Sequence, residues 1–272
     1  MDKVIILGSG AASGVPTISN GWGKCDAKNS KNRRSRAGVY VQIGENKVLI
    51  DTSADLRNQL IENNIRKVDA VLYTHVHADH LMGIDDLRAM NYTVNELFGG
   101  GKNIKGKRLS IYAIKEHLDE IRHRFGYVLA DEKSPEITHR PQLVSYEVEY
   151  GTEILIGKMR IMPLAFAGHP VPTTGYVFNE GQLVVVPDYK IIPSQTLEYL
   201  QNIDVNVLIM PLTNIRECIY HAGMDIDLDY IKKIKPKRVF FTHLGPECDY
   251  ETVLKMCPKG IEPAYDNLVI EL

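Results

Sequence analysis

Several features that would place a chain in a class at once are missing from this sequence. No apolar run approaches the roughly 20 residues that cross a bilayer, so no membrane partner is expected. The 32 Lys and Arg residues against 34 Asp and Glu leave a formal charge of −2. That near-balance argues against extended nucleic-acid binding, which needs a long basic footprint. Cysteine is scarce: Cys25, Cys218, Cys248 and Cys257 form no CxxC pair and no regular framework, and they read as free thiols in a reducing compartment. The opening, Met1-Asp2-Lys3 and then Val4 to Leu7, is too short for the apolar region of an export signal. It reads as a first strand, and a cytoplasmic location is expected. No internal repeat, low-complexity tract or Pro/Ser-rich linker divides the 272 residues, which predicts one domain over 1–272. A chain of that length buries a core without disulfide staples.

What is present is a strand-rich alternation. Short apolar runs rich in β-branched residues predict strands at 4–7, 39–43, 48–50, 70–73, 109–112, 159–164, 175–178, 183–186, 205–210, 238–241 and 268–270. Helices are predicted at 55–63, 84–90, 115–125, 193–201, 227–234 and 250–256, with Pro193 near one start and Pro236 just past one end. Several strands look apolar on both faces, so helices are expected to cover the outer faces of the sheets.

Three segments invite functional readings. Gly8-Ser9-Gly10-Ala11-Ala12-Ser13-Gly14 is one residue too long for GxGxxG, and Pro16 is misplaced for a crossover helix. A dinucleotide site is therefore disfavoured, and the loop is expected to skirt a site of another kind. Arg33, Arg34 and Arg36 in an irregular polar stretch are candidate contacts for an anionic substrate. The segment Asn91–Lys107, with Gly99-Gly100-Gly101 and three lysines, is a candidate border or lid. Both basic stretches are equally read as solvated loops.

The strongest signal is Thr74-His75-Val76-His77-Ala78-Asp79-His80 directly after an apolar strand. Alternation on an extended chain turns His75 and His77 the same way, and the following turn can aim Asp79 and His80 at a neighbouring point. Burying so many ionisable groups without a cation would be costly. Imidazole with carboxylate favours zinc, manganese or iron over calcium or magnesium. Further ligand-type residues end other apolar runs: His169, Asp188 and His243.

At these positions the sequence resembles the metallo-β-lactamase fold superfamily, with Leu49-Ile50-Asp51-Thr52, HxHxDH, His169, Asp188 and His243 in that family's order. The resemblance implies an α/β fold, an αββα four-layer sandwich of two mixed β-sheets with helices on both outer faces. It implies two divalent transition-metal ions, zinc or manganese. His75, His77 and His169 would hold the first, Asp79, His80 and His243 the second, Asp188 would bridge them, and Asp51 would orient a ligand. Within the superfamily the chain resembles the PhnP-like phosphodiesterases, which include a phosphoribosyl cyclic phosphodiesterase. That likeness rests on Gly8-Ser9-Gly10, Gly14-Val15-Pro16, Asn32 to Arg36, Thr74 to Asp86 and Pro263-Ala264-Tyr265-Asp266. His221 stands where relatives carry a further active-site histidine. Those relatives also carry a cysteine cluster after the Gly-Val-Pro turn, of which only Cys25 remains. A structural zinc is not expected, and a partial site of Cys25 and Cys248 is the weaker alternative.

The implied function is hydrolysis of a small, anionic, cyclic or nucleotide-like phosphodiester by a binuclear centre with a bridging hydroxide. Asp79 and His221 are the catalytic candidates, His221 as general acid or hydrogen-bond donor. Three alternatives stand beside it: a tRNA 3′-processing-type endonuclease, a thioester or β-lactam hydrolase on the same fold, and a non-enzymatic or redox scaffold. A homodimer is left open. His117, His123 and His139 are expected at the surface.

Overall fold

A computed structural model describes residues 1–91, 108–130 and 140–272. Its strands are β1 (Lys3–Gly8), β2 (Gly38–Ile43), β3 (Asn46–Ile50), β4 (Ala70–Leu72), β5 (Leu109–Ala113), β6 (Leu143–Glu147), β7 (Ile154–Ile156), β8 (Met159–Phe166), β9 (Thr173–Phe178), β10 (Leu183–Val185), β11 (Val207–Pro211), β12 (Arg238–Thr242), β13 (Ile261–Pro263) and β14 (Leu268–Glu271). They form two seven-stranded sheets, ordered β14-β1-β2-β3-β4-β5-β6 and β13-β12-β11-β10-β9-β8-β7.

The two sheets share a plan. In the first, β14, β1, β2 and β3 pair antiparallel, and β4, β5 and β6 are added in parallel. In the second, β7 to β10 are antiparallel and β11, β12 and β13 follow in parallel. Antiparallel neighbours need only tight turns, whereas each parallel step needs a crossover. This is why strand pairs come early in each half and helix-separated strands late.

Side-chain alternation sorts the strands into layers. Val4 and Ile6 of β1 join a central cluster, while Ile5 and Leu7 join an outer one. In β10, Leu183 and Val185 face the centre and Val184 faces outward. The central cluster lies between the sheets, drawing Ile50 and Leu72 from one and Tyr176, Phe178 and Ile209 from the other. The helices are α1 (Leu56–Glu62), α2 (Ala78–Leu81), α3 (Arg88–Asn91), α4 (Lys115–Phe125), α5 (Ser194–Gln201), α6 (Met224–Ile234) and α7 (Tyr250–Met256). Leu56 and Leu60 of α1 and Leu118 and Ile121 of α4 cover the first sheet. Leu200 of α5, Ile231 of α6 and Val253 of α7 cover the second. Three apolar interfaces between four layers make the αββα sandwich that the resemblance implied. No helix among the described residues is long and apolar enough to cross a membrane.

The differences from expectation are local. Strands β6, β7 and β13 were not anticipated. All three are edge strands, which are covered on one side only and need no apolar run. The helix predicted over 84–90 is a 3-10 turn, Ile84–Leu87, followed by α3. Helix α6 starts earlier than predicted, at Met224, with Asp225 and Asp227 in its first turn, where acidic side chains oppose the helix dipole. The candidate lid lies outside the described residues beyond Asn91, and so does His139.

Asp227 of α6 is fully buried and accepts a hydrogen bond of 2.6 Å from the Tyr189 hydroxyl, while its other oxygen finds no partner. Burial pushes its carboxyl up to about 7. The unfolded chain ionises this group near its ordinary value of about 4, so between about pH 4 and about pH 7 the unfolded state binds fewer protons than the folded state. Stability from this group is therefore present at low pH and lost as pH rises through that window. Asp227→Asn cannot ionise, and its melting temperature is expected to gain on wild type between about pH 4 and about pH 8. A melting-temperature difference that stays constant across that range would contradict the assignment.

Candidate metal centre

The site forms where strands end. Asp51 follows β3, His75 and His77 follow β4, His169 follows β8, Asp188 follows β10 and His243 follows β12. β3 and β4 run parallel, as do β10, β11 and β12, and β8 points the same way as β10 because both pair antiparallel with β9. The carboxyl ends of these strands therefore meet along one edge of the sandwich, where open α/β sheets form their clefts.

Two groups of ligand-type atoms result. His75, His77 and His169 form one, and Asp79, His80, Asp188 and His243 the other, with the candidate ligand atoms of each group within 4.8 Å of one another. A third grouping of the same radius joins His169, Asp188 and His221. His169 Nε2 lies 3.0 Å from His77 Nδ1. Asp79 Oδ2 lies 3.2 Å from both His80 Nε2 and His243 Nε2, and Asp188 Oδ2 is 3.3 Å from His243 Nε2. His75 Nε2 is buried without a hydrogen-bond partner. Buried polar atoms are rarely left so, and an orphaned imidazole nitrogen among neighbouring ligand atoms fits the demands of a divalent cation.

Charge is arranged to match. Burial lowers the imidazoles of His75, His77 and His169, the last to about 4, which keeps their lone pairs free. Burial opposes the charged form of His80, yet Asp51, Asp188 and Asp79 raise it well above its ordinary value. Burial likewise opposes ionisation of Asp79 and Asp188, but the neighbouring histidines, His243 and His80 foremost, hold both well below the carboxylate range. The cluster thus sets two ionised carboxylates between a protonated His80 and the neutral imidazoles of His75, His77 and His169.

A surrounding network aims these groups. Asp51 Oδ1 accepts from Thr74 N at 2.8 Å, and Oδ2 accepts from Thr74 Oγ1 and meets His80 Nδ1, each at 2.7 Å. Because the Thr74 hydroxyl donates to Asp51, it accepts from His75 Nδ1 at 3.0 Å, leaving Nε2 for a cation. Arg124 of α4 donates to the Val76 carbonyl at 2.8 Å, pinning the turn between His75 and His77. Asp51 and His243 have φ of 64° and 53°, a left-handed conformation that costs a non-glycine residue about 1–3 kcal/mol and concentrates at functional sites. Thr74 lies inside the histidine motif and was within reach of sequence reasoning. Arg124 carried no signal, since it sits one helix away from the group it holds.

The cleft beside the cluster has a volume of about 490 Å³, and its walls include Ala11, Ala12 and Ser13 with His77, Asp79 and His221. The glycine-rich loop does border the site. It is held there by backbone bonds from Gly10 to Ser35 and between Ser9 and Leu244, and a side chain at Gly10 would meet Ser35 O at 2.8 Å.

The three arginines part company. Arg34 serves internal support: it is 2 % exposed, with Nη2 3.1 Å from Asn32 Oδ1 and Nη1 3.4 Å from Gly245 O. Arg36 pairs with both Asp55 oxygens at 3.1 Å and donates to Ala12 O at 3.0 Å. Arg33 is exposed and lies over the Trp22 ring at 5.2 Å. Arg34 also stands 3.9 Å from Cys25 Sγ. Among the described residues neither Cys25 nor Cys248 joins a ligand cluster, and burial raises both thiols, Cys248 to about 12. His123 is at the surface as expected, but His117 is 1 % exposed on α4, and burial lowers it to about 4.

The domain profile of the β-lactamase superfamily matches residues 46–244, and the chain belongs to that family. Its sandwich and histidine–aspartate cluster are those of a metallo-β-lactamase-fold protein. Within the family its likeness is PhnP-like: the solved structure of a diphosphatase from the PhnP family is 28 % identical, covering 100 % of this chain and 98 % of that one, with a TM-score of 0.83. An octanoyltransferase of Porphyromonas gingivalis is 28 % identical over 98 % of this chain but 51 % of its own length. A ribonuclease Z of Methanopyrus kandleri is 30 % identical over 173 residues, 61 % of this chain and 53 % of that protein. The chain spans about half the length of the curated relatives it matches.

Asp51→Asn tolerates the same left-handed backbone but removes the charge that orients His80. It is expected to weaken metal retention about 10- to 100-fold in chelator competition, with the circular dichroism spectrum unchanged. Retention equal to wild type would detach Asp51 from the centre.

Proposed function

We propose that this chain is a hydrolase whose binuclear metal centre cleaves a small phosphodiester. The observation that carries the reading is the shared carboxylate. Asp188 belongs both to the cluster of Asp79, His80 and His243 and to that of His169 and His221, as a residue bridging two cations must. In this reading His75, His77 and His169 hold one ion, Asp79, His80 and His243 the other, and Asp51 orients His80. Five imidazoles and two carboxylates suit zinc or manganese. Two such ions would supply Lewis acidity and a water acidic enough to act as nucleophile at neutral pH.

The chain's own residues supply the rest. Asp79 and His221 line the cleft, so Asp79 is assigned a catalytic role besides ligation. His221, kept below its ordinary value by burial, donates a hydrogen bond toward the departing or non-bridging oxygen. A second cleft, of about 800 Å³, shares Ser13 with the first and is lined by Lys31, Arg33, Arg36 and Tyr265. Lys31 sits 4.2 Å and 4.8 Å from the Tyr250 and Tyr265 ring centroids. Cations and aromatic faces suit the anionic and planar parts of a nucleotide-like diester. The likeness to a diphosphatase supports phosphorus chemistry over thioester or β-lactam hydrolysis. A cytoplasmic, small-molecule setting belongs to the same proposal.

Protein reconstituted with zinc or manganese is expected to bind close to two ions per chain. It should turn over cyclic or linear phosphodiesters in preference to a thioester, a chromogenic β-lactam and precursor tRNA, compared by kcat/KM. Asp188→Ala should lose most of that activity and at least one ion. Finding no bound metal after reconstitution, or turnover confined to the other three substrates, would sink the reading.

A further inference from the structure

A histidine that gives one ring nitrogen to a cation is aimed by whatever holds the other. Four of the five histidines in the two ligand groups have such a holder. His75 Nδ1 meets the Thr74 hydroxyl at 3.0 Å, His80 Nδ1 meets Asp51 Oδ2 at 2.7 Å, and His169 Nδ1 lies 3.4 Å from the Tyr220 carbonyl oxygen. His243 Nδ1 lies 3.0 Å from the Thr213 hydroxyl, which also stands 3.2 Å from His221 Nδ1. His77 differs. Its Nδ1 faces another ligand, His169 Nε2, at 3.0 Å, and its Nε2 has no hydrogen bond among the described residues.

What holds His77 is its backbone. The Val76 carbonyl and the His77 nitrogen share one planar peptide, so a bond to that carbonyl fixes the plane from which the φ of His77 turns. His77 has a φ of −67° and a ψ of 156°, and these govern which rotamers its ring can adopt. The bond comes from Arg124 Nη1 at 2.8 Å. Arg124 is itself steadied, because its Nε donates to Glu120 one turn earlier at 2.5 Å. A guanidinium can serve both acceptors at once. The Val76 side chain is buried in the outer cluster with Leu118 and Ile121 of the same helix, which brings the carbonyl within reach of α4. On the other side of His77 the chain is fixed again, since its carbonyl accepts from His80 N at 3.0 Å. Among the described residues no hydrogen bond runs from α4 to Asp79, His80, Asp188 or His243.

We propose that Arg124 is the positioning residue of His77. By holding the Val76–His77 peptide it does for this ligand what Thr74, Asp51, Thr213 and the Tyr220 carbonyl do for the other four. It therefore governs retention of the ion assigned to His75, His77 and His169, and leaves the other ion to Asp79, His80 and His243. The inference rests on reading the cluster as a binuclear metal centre. It does not depend on which ester the centre cleaves.

The test is chelator competition on zinc-loaded protein, followed by metal content and by the nitrogen–proton NMR signals of the imidazoles. Arg124→Met removes the donor but keeps an apolar stem of similar reach. It is expected to release one ion about 10- to 100-fold more readily than wild type, with the other released as in wild type. The His77 and His169 signals should move on that first release while the His243 signal stays. Arg124→Lys, which keeps a donor, should recover part of the loss. Both ions retained as in wild type by Arg124→Met, both weakened alike, or Arg124→Lys no better than Arg124→Met would overturn the proposal. Wild type that binds fewer than two ions would remove the proposed function and this inference together. A two-ion centre that Arg124→Met leaves intact removes this inference alone.

Discussion

Burial of ionisable groups side by side is the constraint on which the rest of the structure depends. His75, His80, Asp79, Asp188 and His243 are each less than a tenth exposed, and an isolated charge in that position would be prohibitive. They are tolerated because each is compensated by another. Imidazoles face carboxylates, and the carboxylates are held ionised by the imidazoles. Removing one member exposes the charge of its neighbours, so the cluster behaves as a unit and the loops that carry it must be held together.

Side chains far apart in sequence do that holding. Asp51 ties the end of β3 to the start of the histidine motif. Asp266, near the C-terminus, accepts from the backbone and hydroxyl of both Ser9 and Ser35 at 2.7–2.8 Å. It thereby joins the glycine-rich loop, the arginine stretch and the tail that leads into β14. Arg34 performs the same service internally, its guanidinium reaching Asn32 Oδ1 and Gly245 O. Asp51, Ser9 and Arg34 of this polar frame are buried, and Asp266 and Ser35 are half-buried. Motifs that looked functional in isolation, such as Arg34 and the Pro263 to Asp266 tail, are parts of that frame.

Much of this was readable from residues alone. Every predicted apolar run overlaps a strand, because strands covered on both faces must be apolar throughout, and the edge strand β14 still carries Leu268-Val269-Ile270. The other edge strands, β6, β7 and β13, escaped because an edge strand requires no such run. The histidine motif was legible because four ligand-type residues in six positions have few other uses. His117 was misjudged for the complementary reason. A single histidine looks the same in sequence at the surface as in a core, and only the packing of α4 against the first sheet buries it.

The sequence by itself determined helix-covered sheets, through the lengths and spacing of its strands, and the ligand-type residues, through their placement at strand ends; the αββα class came with the family resemblance those residues carry. Those are local properties: alternation and chain reversal follow from neighbours along the backbone. Which residues meet was decided only by the tertiary structure. It set Asp188 between two clusters, turned Arg34 inward, brought Arg124 onto the Val76 carbonyl and placed the Thr213 hydroxyl between two imidazoles. Contacts of 2.7 to 3.2 Å between side chains up to 257 positions apart depend on how two sheets stack. No pattern within a single segment encodes that stacking.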